Sequence, residues 1–277
     1  MAMRLGRAEI LDRLRRGIDA GRPILVFGAG IGLTARCAEL GGADVIGVYT
    51  GAFYRMDGMP SLMAWLPYAD TNAELQRRAG AILGAVRKTP CVAGVGAHDP
   101  KCDLPSLVDR TLELGFSGVT NEPYVGMYGA AFAAELEAAG IGLSREVELI
   151  ALARDRGAFT IGWVTTPEEA RRMAEAGADV VGAVVGVTTG GLSGAGVRLD
   201  LEEAAERAQS MFVAAQAANR EAIMLVHGGP FADPDTAQYA LRHTDAVGYA
   251  SGSSGERIPT ETAVVETTRR FKAMSLR

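Results

Sequence analysis

Eight short apolar runs recur along the 277-residue chain, and they constrain its fold more than any other feature. They are Ile24–Gly30, Asp44–Gly51, Cys91–Asp99, Gly118–Pro123, Ala158–Val164, Asp179–Thr189, Ala222–Gly229 and Ala246–Ser253. Each is rich in Val, Ile, Gly and Ala, and each leads through a Gly/Pro/Asp turn into an amphipathic helical stretch. Runs without a polar side read as strands buried on both faces. Such strands alternating with helices form right-handed βαβ units in a parallel sheet. The stretches "ELGGADVIGVY", "ELGFSGVT" and "EAGADVVGAVV" repeat one join: helix end, capping glycine, strand. Helix starts are equally legible. Thr166-Pro167-Glu168-Glu169 offers an N-cap, a proline at the first helical position and acidic residues in the first turn, and Asp233-Pro234-Asp235 repeats that logic.

Eight units in this rhythm predict an α/β fold, a closed (β/α)8 TIM barrel, as one domain over residues 1–277. Leu5 to Ala20 would be a helix before the first strand, closing the bottom of the barrel. Thr260 to Lys272 would be the last outer helix. Composition removes several other classes. The chain is 48% hydrophobic and 22% charged, which is globular rather than disordered or fibrous. Net charge is −5 without a basic stripe, so a nucleic-acid partner is not expected. The charged start, Met1 to Arg16, has no apolar core of a secretory signal, and no apolar stretch reaches the ~18 residues of a membrane span. Cys37, Cys91 and Cys102 are odd in number and lack CxxC spacing, which reads as reduced thiols in a cytoplasmic protein.

In barrels of this kind chemistry sits at the carboxyl ends of the strands. The first run ends in Gly28-Ala29-Gly30-Ile31-Gly32, suited to an amide-lined anion pocket. A nucleotide cofactor is not expected, because the second run ends in Tyr49-Thr50 where a dinucleotide site has an acidic residue. Gly51 to Asn72 reads as a long loop, a lid or substrate wall, with Arg55 either gripping a carboxylate or phosphate or pairing with Asp57 in solvent. His98-Asp99-Pro100 and Asn121-Glu122-Pro123-Tyr124 follow the third and fourth runs. Asp99 and Glu122 are candidate Mg2+ ligands or acid and base, and His98 titrates near neutrality. Asp99 could instead cap the next helix, whereas Glu122 has no evident structural duty. Thr188 and Thr189 open a polar loop through Leu192-Ser193-Gly194-Ala195-Gly196. His227-Gly228-Gly229 and Ser251-Gly252-Ser253-Ser254-Gly255-Glu256-Arg257 occupy the usual phosphate-binding region of barrels, although His227 also suits a structural role. His243 reads as a surface residue.

At these strand ends the chain resembles the phosphoenolpyruvate hydrolase-like TIM-barrel family, also found as the C-terminal barrel of Tm-1-type plant proteins. The likeness runs from about Leu11 to Lys272. It is carried by "GAGIGLTARCAELGGAD" (Gly28–Asp44), "YRMDGMPSL" (Tyr54–Leu62), "LPYADTN" (Leu66–Asn72), "GVTTGG" (Gly186–Gly191), "HGGP" (His227–Pro230) and "SSGERIPTE" (Ser253–Glu261). The resemblance implies a homo-oligomeric TIM barrel handling phosphoenolpyruvate- or phosphonopyruvate-like anions. Three places depart from the family pattern. Gly96-Ala97-His98-Asp99-Pro100 stands for Cys-x-Thr-Asp-Pro, Asn121-Glu122-Pro123-Tyr124 for Asn-x-Pro-Thr, and Val184-Val185 for His-Met.

The expected function is therefore a lyase or hydrolase acting on a small oxo-acid or enol-type anion. Arg55, Tyr49, Asn121, Tyr124, Gly28, Gly30, Thr188, Thr189, Gly228, Gly229, Ser251, Ser253, Glu256 and Arg257 would hold that substrate. Glu122 and His98 would exchange protons, Asp99 and Glu122 would hold Mg2+, and His227 would polarise a carbonyl or stabilise an enolate. Two alternatives are a small-anion-binding or regulatory barrel without turnover, and a carbon–carbon bond-cleaving enzyme with zinc on His98 and His227.

Overall fold

The structure, a computed structural model, describes residues 4–276 other than 101, 195, 197 and 198. Ala195 of the expected Leu192–Gly196 loop, and the first three residues of the Met1–Arg16 stretch, thus lie outside the described residues. Eight strands are present: β1 (Ile24–Gly28), β2 (Val45–Val48), β3 (Cys91–Gly94), β4 (Gly118–Thr120), β5 (Phe159–Val164), β6 (Val180–Val184), β7 (Ile223–His227) and β8 (Gly248–Ser251). Every neighbour pairs in parallel in sequence order, and β8 pairs with β1, so the sheet is a closed eight-stranded barrel. The register sets His227 beside Val184 on one side and Ala250 on the other. All the strands but β5, which ends with its run at Val164, stop short of the apolar runs at their carboxyl ends.

The helices are α1 (Arg7–Asp19), α2 (Gly32–Leu40), α3 (Thr50–Met56), α4 (Thr71–Ala85), α5 (Leu104–Glu113), α6 (Ala130–Ala138), α7 (Leu143–Asp155), α8 (Pro167–Glu175), α9 (Leu201–Ala218), α10 (Pro234–His243) and α11 (Arg257–Lys272). Thr166 caps α8 through the Glu169 amide, and Asp233 and Thr236 form a capping box on α10, as their sequences foretell. On α1, Leu14, Ile10 and Leu11 point inward with Leu5 and meet Ile24, Val45, Phe159, Val180 and Ile223, the first residues of their strands. α1 therefore plugs the amino end of the barrel, leaving the carboxyl end as the accessible mouth. Arg7 fastens it by an ion pair of 2.7 Å to Asp179, whose carboxylate also accepts from the Thr160 amide. No helix among the described residues is long and apolar enough to cross a membrane.

Two expectations need correction. Gly51 to Asn72 is not an open loop: α3 and a 3-10 turn over Ser61–Trp65 fill it, and Asp70 caps α4. α3 is only seven residues long and carries Gly51 near its start, too little for a periodic signal. The second correction is α11, which forms but does not lie on the barrel. Only Arg257 of it is buried, while Val264, Val265 and Phe271 are exposed. A groove of about 400 Å3 stays open over β1 and β8, between Leu25, Phe27, Tyr249 and Leu241.

Leu14 is 2% exposed at the plug, so Leu14→Ala should cost about 2–5 kcal/mol in a urea unfolding titration. A change within about 0.5 kcal/mol would mean that α1 does not seal the core.

Candidate active site

The mouth of the barrel narrows to a cavity of about 60 Å3, room for a few waters or a compact ligand. Tyr49, Arg55, Glu122, Tyr124, Trp163, Thr188, His227, Ser251 and Ser253 face it, with Ser61, Trp65 and Met127 as its outer wall.

The cation is supplied by α3. From this short helix after β2, Arg55 turns inward and is 4% exposed. Its Nε donates to Glu256 Oε2 at 2.5 Å, and its Nη2 to the Gly28 carbonyl at 2.6 Å and the Tyr49 hydroxyl at 3.4 Å. Glu256 Oε1 accepts from the Gly30 amide at 2.7 Å and from Thr34 Oγ1 at 2.5 Å. Gly28 is required for this packing: a Cβ there would stand 1.8 Å from the Tyr49 hydroxyl. The expected partner Asp57 instead pairs with Arg78.

Glu122 follows β4 and is 6% exposed, yet its carboxyl makes no hydrogen bond to any described residue. Burial pushes its pKa up to about 8, against the pull of Arg55. The group is therefore neutral near pH 7 and able both to give and to retake a proton. Burial also drives the Tyr124 hydroxyl well above its usual 10, so it stays a donor. Across the cavity, His227 Nδ1 lies 2.7 Å from the Ala250 carbonyl. A carbonyl only accepts, so Nδ1 carries the proton and Nε2 presents a lone pair. Burial, with Arg55 adding to it, lowers the His227 pKa despite the bond to Ala250. A neutral ring in this tautomer accepts protons and cannot polarise a carbonyl, which changes the role expected for His227.

Backbone completes the site. The amides of Gly186, Val187, Thr188, Gly252 and Ser253 meet no protein acceptor among the described residues, and all five residues line the cavity. Ser61 Oγ and Trp163 Nε1, also at the cavity, are buried without a partner. Unpaired buried donors call for an acceptor, and a bound anion or water provides one.

Several expected residues serve structure instead. His98 does not line the cavity: Nδ1 faces the Ile141 carbonyl and Nε2 the Pro123 carbonyl, each at 3.0 Å. With both nitrogens engaged, it is placed neither for proton exchange with the cavity nor for zinc shared with His227. Asp99 lies outside the cavity and accepts from Cys102 Sγ, and the cap of the next helix is Asp103. Asn121 clasps β5 through the Trp163 amide at 2.7 Å and the Trp163 carbonyl at 3.0 Å, and bonds to Glu146. Arg257 pairs with Glu261 and the Gly190 carbonyl. Thr189, in the loop after β6, and Gly228 and Gly229, in the turn after β7, tie those two segments together: the Thr189 amide donates to the Gly229 carbonyl and the Gly229 amide to the Gly186 carbonyl. His243 is exposed and stacks on Tyr239. The three cysteines are free thiols. Ser61 and Trp65 line the cavity from the Gly51–Asn72 stretch that reads as a substrate wall, whereas Trp163 has no sequence signal as a site residue. A lone tryptophan in an apolar strand reads as core, and only Gly182 opposite it, where a Cβ would stand 2.2 Å from its ring, hints at its place.

Mg2+ asks for oxygen ligands, normally one or two carboxylates with waters and substrate. Glu256 is committed to Arg55, Gly30 and Thr34, and Asp99 is outside. That leaves Glu122, held neutral with a guanidinium close by. No group of three or more His, Cys, Asp or Glu is placed to hold a metal among the described residues. This donor set does not fit the ion.

Fold and cavity together define a (β/α)8 barrel whose mouth pairs a buried guanidinium with a neutral carboxyl and a neutral imidazole. The chain belongs to the phosphoenolpyruvate hydrolase-like family, whose sequence profile matches residues 9–274. ToMV susceptible protein tm-1(GCR26) and ToMV resistance protein Tm-1(GCR237), both from Solanum lycopersicum, are 40% and 39% identical to it over 271 residues. That alignment covers 98% of this chain and 36% of each relative, so the chain spans about a third of their length. Among solved structures, 2,3-dimethylmalate lyase superposes with a TM-score of 0.60 at 18% identity, covering 95% of this chain and 87% of the lyase. Phosphonopyruvate hydrolase in complex with oxalate and Mg++ superposes with a TM-score of 0.57 at 16% identity, covering 94% and 84%. At such identity the likeness is one of fold.

Ionising Glu122 inside the protein is harder than in the unfolded chain. Its contribution to stability therefore falls as pH rises from about 4.5 towards about 8. Glu122→Gln should remove that slope, so its advantage in thermal midpoint over the parent grows across this range. Parallel profiles for the two proteins would show that Glu122 titrates normally.

Proposed function

We propose that this chain is an enzyme of the lyase or hydrolase kind acting on a small oxo-acid or enol-type anion. The observation that carries the reading is Glu122: a buried carboxyl without a partner among the described residues, in a cavity shared with one guanidinium and one neutral imidazole. Arg55, whose Nε and Nη2 are committed to protein, offers Nη1 to a carboxylate or phosphate oxygen. The unpaired amides of Gly186–Thr188 and Gly252–Ser253 take the remaining oxygens. His227 Nε2 accepts a proton from the substrate hydroxyl or from attacking water. As the carbon–carbon or carbon–phosphorus bond breaks, its electron pair passes into an enolate, whose carbon takes the proton from Glu122. The Tyr49 and Tyr124 hydroxyls stand by as donors to the developing oxyanion. The small cavity favours compact substrates, in keeping with the oxalate held by phosphonopyruvate hydrolase.

Homo-oligomerisation belongs to the same reading. α11 is a helix without a barrel under it, and the groove over β1 and β8 lacks its covering helix. A second copy satisfies both at once when its α11 lies in that groove and its own groove receives the first. Light scattering should give at least a dimer mass, and Val264→Asp with Phe271→Asp should shift it to a monomer. A monomeric parent chain would refute the exchange.

Assays against oxaloacetate and phosphonopyruvate test the chemistry. Glu122→Gln and His227→Ala should each fold and each lose at least about 100-fold in kcat/KM. Parent-like rates in both variants, on any substrate the parent turns over, would overturn the assignment.

A further inference from the structure

His98 is the one histidine whose two ring nitrogens both point at protein carbonyls, Ile141 on Nδ1 and Pro123 on Nε2. Carbonyls do not donate, so only the doubly protonated ring satisfies both contacts. A carboxylate stands ready for that charge, with Glu146 Oε1 3.2 Å from Nε2. Glu146 is 1% exposed and also accepts from Asn121 Nδ2 and, at 2.7 Å, from the Val125 amide. These contacts bracket one short segment: Asn121, Pro123 and Val125 are each tied down, and Glu122 and Tyr124 between them face the cavity. Arg145, beside Glu146 on α7, is committed to the carbonyls of Ala97, Asp99 and Cys102. Asp99 and Asp103 are the other charged groups on the described part of the His98 loop. Glu146 is a carboxylate in contact with the ring.

We propose that His98 is a positioning residue: as an imidazolium it clamps Pro123 to Ile141 and, with Glu146, fixes Glu122 and Tyr124 in the cavity wall. Losing the ring proton removes one of the two donors and releases that wall. Burial opposes the charge, but Glu146 and the two carbonyls outweigh it and raise the pKa above 6.5. The clamp therefore contributes its full stability below about pH 6.5 and loses it as pH rises through the raised value. The proposal rests on the reading of Glu122 as the reacting group only for its effect on ligand. The clamp itself is tested without one.

The experiment uses the full chain, with imidazole nitrogen-15 spectra of its three histidines followed from about pH 6 to about pH 9. Tryptophan emission of the free protein is recorded in parallel. Both tryptophans adjoin the clamped segment: Trp65 Nε1 donates to the Tyr124 carbonyl, and Trp163 is held by Asn121. The titration is repeated in Glu122→Gln, which removes the nearby carboxyl that titrates in the same range. His98 should be charged at about pH 7 while His227 is neutral, and its deprotonation should coincide with an emission step that survives in Glu122→Gln. His98→Gln, keeping a single amide donor group, should abolish that step. It should also weaken oxalate binding at about pH 7 by about tenfold, or 1.4 kcal/mol. A neutral His98 at that pH, or a His98 titration without an emission step, overturns the clamp. Failure of the parent protein to bind oxalate or turn over oxo-acids would count against the proposed function alone.

Discussion

The mouth of this barrel is organised around the buried ion pair between Arg55 and Glu256. Their side chains are 3% and 0% exposed, and taking two such charges out of water costs several kcal/mol for each ion. The cost is offset because nearly every polar atom of the pair is used. Glu256 collects the Gly30 amide and the Thr34 hydroxyl, while Arg55 reaches the Gly28 carbonyl and the Tyr49 hydroxyl. The turns after β1, β2 and β8 are thereby locked to one another. The same guanidinium acts on the groups it does not touch, favouring the ionised form of Glu122 and the neutral form of His227. Burial makes both groups neutral, and the guanidinium opposes it at Glu122 and adds to it at His227.

The barrel itself is legible in the chain because its determinants are local. A short apolar run, a capping glycine and an N-cap each declare themselves within a few positions, and eight repetitions leave little choice of architecture. Elements whose reasons are not local are harder to read. α3 exists because Arg55 and Phe53 are drawn inward, and α11 forms with almost nothing of its own barrel beneath it. Neither fact is written in a window of ten residues.

The site divides along the same line. Glu122 stands out in the sequence because no cap or surface helix explains a carboxylate between Asn and Pro. Arg55 is visible as a candidate, but its partner lies 201 residues away and reads as another substrate ligand until the chain is folded. His98 looks more chemical than His227 beside an acidic residue and a proline, yet the carbonyls that claim both its nitrogens come from separate segments. A histidine's tautomer, and with it its role, is decided by what its second nitrogen meets. Sequence neighbours do not supply that.

Glu256 is the residue from which α11 starts, so the helix that leaves the barrel is rooted in the buried pair. Under the proposed function, whatever seats or unseats α11 would act, through a single carboxylate, on the guanidinium offered to the anion. Linkage would then run in both directions: an anion that tightened Arg55 would favour one disposition of the helix, and a surface that captured the helix would change the affinity for the anion by the same factor. Occupancy at the mouth would become readable on the outside of the molecule, some four helical turns from the buried pair.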